Sequence, residues 1–167
     1  KGIAEFVECA KRFKKNQISA RFCLVGSPDP ENPQSIPVKQ INEWVKLGLV
    51  EWWVHQEKMI EVYSKATIVC LPSYREGLPK SLLEAASCAL PIVAFDVPGC
   101  REIVRNGVNG FLVPLKNIDK IYYSILQLIN DPALSYKMGT NGRKIVLEEF
   151  SQEMISEQTM RAWQDIK

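Results

Sequence analysis

Thr67-Ile68-Val69-Cys70-Leu71-Pro72-Ser73-Tyr74-Arg75-Glu76-Gly77-Leu78-Pro79-Lys80-Ser81-Leu82-Leu83-Glu84-Ala85-Ala86 carries two patterns back to back. Thr67–Pro72 is an apolar run of strand length with no polar alternation, which predicts a strand buried on both faces of a parallel sheet. Pro79–Ala89 then reads as a helix, with proline suited to its first turn, where a missing N–H is no loss. Pro91–Phe95 is a second buried strand. The intervening Ser73–Leu78 is therefore a strand-to-helix loop, at the carboxyl edge where open α/β sheets bind ligands.

The same alternation extends in both directions. Upstream, Ile3, Phe6, Val7, Ala10 and Phe13 fall at helical spacing, and Arg21–Gly26 is a short strand ending in glycine. Ser27–Pro37 is a proline-rich loop. Val38–Leu47 is a helix stopped at Gly48, Val50–Val54 a strand, and Lys58–Ser64 a short helix. Downstream, Phe111–Val113 is a short strand and Ile118–Ile129 a helix. A further helical stretch runs from Asp131-Pro132 through Leu147, and a terminal helix capped by Ser151 runs to Trp163. Repeating strand–helix units of this size specify an α/β fold, a Rossmann-like doubly wound parallel sheet.

A length of 167 residues suits one domain, here 1–167. The chain has 21 basic and 19 acidic residues, a net charge of +2, and so no electrostatic footprint for nucleic acid. The basic cluster Lys11, Arg12, Lys14 and Lys15 closes an amphipathic helix, where positive charge suits the C-terminus. No apolar run approaches the ~20 residues that span a bilayer, and the first residues have no signal-peptide core. The five scattered cysteines form no C-x-x-C pair and read as reduced core residues of a cytoplasmic protein. No D-x-D, G-x-x-x-x-G-K-[ST] or G-x-G-x-x-G occurs, which leaves metal-bridged phosphate, NTPase and dehydrogenase chemistry without a motif.

The loop holds the chemistry. Amides around Gly77 and Leu78, with the dipole of the following helix, make an anion-binding mouth, and Gly77 lets the backbone come close to a ligand. Arg75 either reaches a phosphate or stands in solvent. Glu84 sits among Leu82, Leu83, Ala85 and Ala86, where a carboxylate needs a partner. Two adjacent sugar hydroxyls would match its two oxygens; an exposed face or an ion pair with Lys80 would serve equally.

Glu76-(seven residues)-Glu84 after Leu-Pro-Ser resembles the E-x7-E motif of retaining GT-B glycosyltransferases, the glycosyl transferases group 1 family. Pro98-Gly99-x-x-Glu102 is similar to that family's Gly-x-x-Glu turn. Asn106-Gly107-x-Asn109-Gly110-Phe111-Leu112-Val113 is similar to its Asn-Gly-x-x-Gly-Phe-Leu-Val hairpin, and Lys1-Gly2 resembles the close of a Gly-Arg-…-Lys-Gly motif. The resemblance covers essentially the whole chain. It departs at Pro79 and at Val54, where glycine is common.

The resemblance implies a C-terminal, nucleotide-sugar-binding half of a GT-B fold whose first strand lies upstream of Lys1. Glu84 would accept hydrogen bonds from the nucleotide ribose. Glu76, the catalytic candidate, would contact the donor sugar. Lys1 would hold the diphosphate and the Gly77 and Leu78 amides the diphosphate or sugar, with Arg75 in reach, and the backbone near His55 would border the base. The implied reaction moves a sugar from an NDP-sugar, UDP-linked, to a surface-polysaccharide or lipid-linked saccharide acceptor, with retention and without a metal or cofactor. Its variant motifs look like bacterial enzymes of capsule, exopolysaccharide or O-antigen synthesis, acting at the inner face of the plasma membrane. Ser151–Lys167 would pack toward an acceptor domain, without which the fragment would be inactive. The rival readings are a nucleotide-sugar epimerase on the same scaffold and a non-catalytic Rossmann-like nucleotide-binding module.

Overall fold

The computed structural model describes residues 1–29, 31–32, 34–151 and 154. Its elements alternate as expected: α1 (Ile3–Lys15), β1 (Cys23–Val25), α2 (Val38–Lys46), β2 (Glu51–Trp53), α3 (Met59–Tyr63), β3 (Val69–Leu71), α4 (Lys80–Ser87), β4 (Ile92–Phe95), α5 (Pro98–Arg101), β5 (Gly110–Val113), α6 (Ile118–Asn130) and α7 (Pro132–Glu149). All pairings between strands are parallel. They form two hydrogen-bonded pieces, β1–β2 and β3–β4–β5. The terminal helix expected over Ser151–Trp163 lies outside the described residues except at Ser151 and Met154, where the Met154 amide donates to the Ser151 hydroxyl at 3.3 Å.

The core centres on β4. All four of its side chains are buried, so both faces of this strand are covered. Leu82, Ala85 and Ala86 of α4 and Ile121, Ile125 and Leu128 of α6 are among the buried residues around it. Farther out, α1 packs on α6 and α4 packs on α7. Phe13 of α1 meets Phe22 and Tyr122 with ring centroids 5.2 and 4.9 Å apart, joining α1 to the start of β1 and to α6. Polar caps fix where the last helices begin: Asn117 accepts from the Lys120 amide and Asp131 from the Leu134 amide, each at 2.9 Å.

Four sequence expectations need correction. Val69, Cys70 and Leu71 are half-buried, because β3 bonds only to β4 and forms one edge of its three-stranded piece. Pro79 stands at the N-cap of α4, with an extended backbone (φ −71°, ψ 106°), one residue before the first turn. The Pro98 turn is a short helix, α5. The Asn106–Gly110 segment is no hairpin: it is a turn, closed by the Gly107 amide on the Gly110 carbonyl at 2.8 Å, that enters β5 parallel to β4.

Candidate functional site

The loop between β3 and α4 is held from several directions. Gly2, at φ +62°, lies against Pro72 so closely that a Cβ there would stand 1.8 Å from the Pro72 carbonyl oxygen. Only glycine permits that contact, and it places Lys1 beside the loop. From α1, Glu5 accepts a hydrogen bond from the Tyr74 hydroxyl. Buried Ser73 donates to the Arg75 carbonyl at 3.3 Å. From the other side α5 abuts the loop backbone: a Cβ on Gly99 would lie 2.1 Å from the Gly77 carbonyl oxygen.

Three predicted residues come together here. Lys1 Nζ donates to Glu76 Oε1 at 2.7 Å, pairing an exposed ammonium with a carboxylate whose side chain is 10% exposed. Burial works to raise the Glu76 carboxyl, but the hydrogen bond and charge of Lys1, with the neighbouring Ser73 hydroxyl, outweigh it and hold the group below its ordinary 4.5. Next to the pair, the Gly77 and Leu78 amides donate to no backbone carbonyl among the described residues. A Cβ added at Gly77 would meet only open space, so the missing side chain leaves the loop backbone accessible.

Glu84 lies one turn into α4, half-buried. Its Oε2 accepts from the Tyr63 hydroxyl at 3.1 Å and its Oε1 is 3.5 Å from Lys80 Nζ. The Lys80 pairing weighed from the sequence is therefore present, although that lysine side chain is 88% exposed and the contact is long. Arg75 is exposed at the loop surface. His55 is exposed too, beyond the end of β2, where Gln56 donates to the Val54 carbonyl at 3.1 Å and Lys65 lies 5.6 Å from the Trp53 ring centre. Neither joins the Lys1–Glu76 pair through a hydrogen bond.

Sequence reasoning quoted Ser73, Tyr74 and Gly99 only as parts of motifs and gave them and Tyr63 no role in holding the site. Ser73 had a readable signal, a hydroxyl directly after a buried strand; the other three contacts are long-range. Two open concavities, of about 310 and 350 Å³, lie along α1, α2 and the start of α6, and neither includes Glu76 or Glu84. The candidate site is an open edge of the sheet.

A parallel α/β chain with this loop at its strand ends has the fold of a GT-B glycosyltransferase C-terminal domain. Sucrose-phosphate synthase from Thermosynechococcus elongatus superposes with a TM-score of 0.83 at 27% identity, over 99% of this chain and 42% of that one. The C-terminal domain of a group 1 glycosyl transferase from Francisella tularensis superposes at 0.74 with 25% identity, over 91% of this chain and 80% of that one. The sequence family "Glycosyl transferases group 1" matches residues 1–145, and the chain belongs to it. It is 31% identical, over 98% of its length, to N,N'-diacetylbacillosaminyl-diphospho-undecaprenol alpha-1,3-N-acetylgalactosaminyltransferase of Campylobacter jejuni. It is 30% identical, over 95% of its length, to the capsular polysaccharide biosynthesis glycosyltransferase CapM of Staphylococcus aureus. The chain spans about two fifths of each of these relatives, 41% in both cases.

Proposed function

We propose that this chain, residues 1–167 as one domain, is the donor-binding half of a retaining hexosyltransferase that takes its sugar from UDP. One observation carries the reading: Lys1 and Glu76 meet at 2.7 Å beside loop amides without a backbone partner among the described residues, and a second carboxylate, Glu84, stands one turn into the helix that follows the loop. That set offers a cation and N–H donors to a diphosphate and two carboxylates to hydroxyls. UDP as the nucleotide is further supported by the S. aureus TarM structure containing UDP, a protein of the same fold.

In this reading the donor diphosphate takes Lys1 from Glu76. The ammonium, the Gly77 and Leu78 amides and the N-terminal end of α4 then neutralise the charge that grows on UDP as the glycosidic bond breaks. Arg75, exposed on the same loop, adds charge at its rim. Glu76, released, accepts from hydroxyls of the transferred sugar, and Glu84 accepts from the ribose hydroxyls. The backbone at Val54-His55 borders the base. This charge compensation by fixed protein groups needs no metal or other cofactor.

The acceptor we propose is a lipid-linked or growing surface saccharide at the inner face of the plasma membrane of a bacterium, in capsule, exopolysaccharide or O-antigen synthesis. The relatives named above support this. Residues outside this chain would bind that acceptor, and 1–167 alone would bind nucleotide weakly and transfer nothing. Isothermal titration with UDP tests the donor site. Glu84→Ala should lower the affinity at least tenfold, the scale of losing hydrogen bonds to a charged group; an unchanged affinity removes the ribose role.

A further inference from the structure

Tyr63 closes α3 and is 6% exposed. Its hydroxyl oxygen lies 3.1 Å from Glu84 Oε2 and 3.1 Å from the Ser81 carbonyl oxygen. A phenol has one proton and can satisfy only one acceptor at a time. The Ser81 carbonyl sits inside α4, where the amide four residues on is its ordinary donor. The carboxylate is the stronger acceptor, because hydrogen bonds to ionised groups are shorter and roughly twice as strong as neutral ones. The proton therefore goes to Glu84. Burial first, and then the Glu84 charge, push the Tyr63 hydroxyl well above its ordinary 10, so it remains a donor through the neutral range.

The two Glu84 oxygens are thus treated differently. Oε2 is tied from the inside by a rigid, buried ring. Oε1 has only the long contact to Lys80, a flexible and exposed side chain. A glutamate has three rotatable side-chain bonds, and a surface glutamate must give up that freedom when it grips a ligand. Here one buried hydroxyl restricts it beforehand, which is how second contacts around a binding group raise affinity and selectivity.

We propose that Tyr63 is a positioning residue: it aims the Glu84 carboxylate, so that the site distinguishes a ribose from a pentose lacking a hydroxyl. This rests on the reading of Glu84 as the pentose-binding group. The selectivity follows because a carboxylate oxygen aimed at one hydroxyl loses that hydrogen bond, with no substitute in place, when the hydroxyl is absent. The connection also couples successive strand–helix units, since α3 follows β2 and α4 follows β3.

The test is calorimetric titration of UDP and 2′-deoxy-UDP into the protein and its Tyr63→Phe and Glu84→Ala variants, with thermal melting of each. Tyr63→Phe keeps the ring and deletes one oxygen. The expected result is a roughly 5- to 20-fold loss of UDP affinity, little change for 2′-deoxy-UDP, and so a collapsed preference between the two. Equal losses for both nucleotides, with or without a lower melting temperature, overturn the proposal, as does an unchanged preference. Glu84→Ala separates the two layers. Where it abolishes the ribose preference and Tyr63→Phe preserves it, only the positioning role falls. Where Glu84→Ala itself preserves the preference, the ribose reading falls and takes the Tyr63 role with it.

Discussion

Among single residues, Glu76 has the clearest pH signature. Its carboxyl is held below 4.5 in the folded chain, so folding favours the charged form. The stabilisation is fully present above the unfolded value and is lost as pH falls through the lower, folded one. Lys1→Met should therefore flatten the acid side of the stability curve below about pH 4.5 and remove about 0.2–1 kcal/mol at neutral pH, because the ammonium is largely exposed. Urea unfolding of both proteins across the acid range measures this. The cysteines give a second prediction. Burial raises the Cys9 thiol to about 12 and the Cys23 and Cys100 thiols to about 11. Iodoacetamide at neutral pH should label all three at least about a hundredfold more slowly in the native protein than in denaturant, Cys9 slowest, since the thiolate is the nucleophile; peptide mapping by mass spectrometry reads the rates.

At the scale of elements, α5 is a brace for the ligand loop. With the Gly99 position only 2.1 Å from the Gly77 carbonyl oxygen once a Cβ is added, Gly99→Ala must push the loop or the helix aside. We expect a loss of about 1–3 kcal/mol together with weaker UDP binding, measured by melting and titration on one sample. Leu82, fully buried in α4, tests the other support of the loop: Leu82→Ala should cost about 2–5 kcal/mol by leaving a cavity. These elements also mark how far sequence reading reaches. Ile3 through Phe13 and Ile118 through Ile129 show their helices because each spans several turns of a 3.6-residue period. The four residues of α5 are too few to display a period, so Pro98–Arg101 reads as a turn. Strand Thr67–Pro72 was readable as a strand, but not as an edge, since hydrogen-bonded neighbours are a property of the assembled sheet. The chemistry divides in the same way. Glu76, Gly77 and Glu84 stand in one short stretch with a recognisable spacing, whereas Tyr63 meets Glu84 across 21 positions and belongs to a five-residue helix with no pattern of its own.

Across the whole molecule, stability is uneven in a way that follows the sheet. β4 has bonded strands on both sides and four buried side chains, while β1 and β2 pair only with each other and keep partly exposed residues. Hydrogen exchange should be slowest at the amides of Ile92–Phe95 and distinctly faster at Cys23–Val25 and Glu51–Trp53, because local opening of the outer pair breaks fewer packed contacts. Exchange that is uniform across all five strands would contradict this gradient. At the same scale, no helix among the described residues is long and apolar enough to cross a membrane.

The close seat of Gly2 on Pro72 has a practical consequence for anyone handling the protein. Gly2 seats the backbone on Pro72 and Lys1 Nζ reaches Glu76 at 2.7 Å, so position 1 lies beside the proposed donor loop. That makes the loop easy to instrument: a small fluorophore attached at position 1 would change its emission on adding UDP if the nucleotide settles there, and would stay silent if it does not.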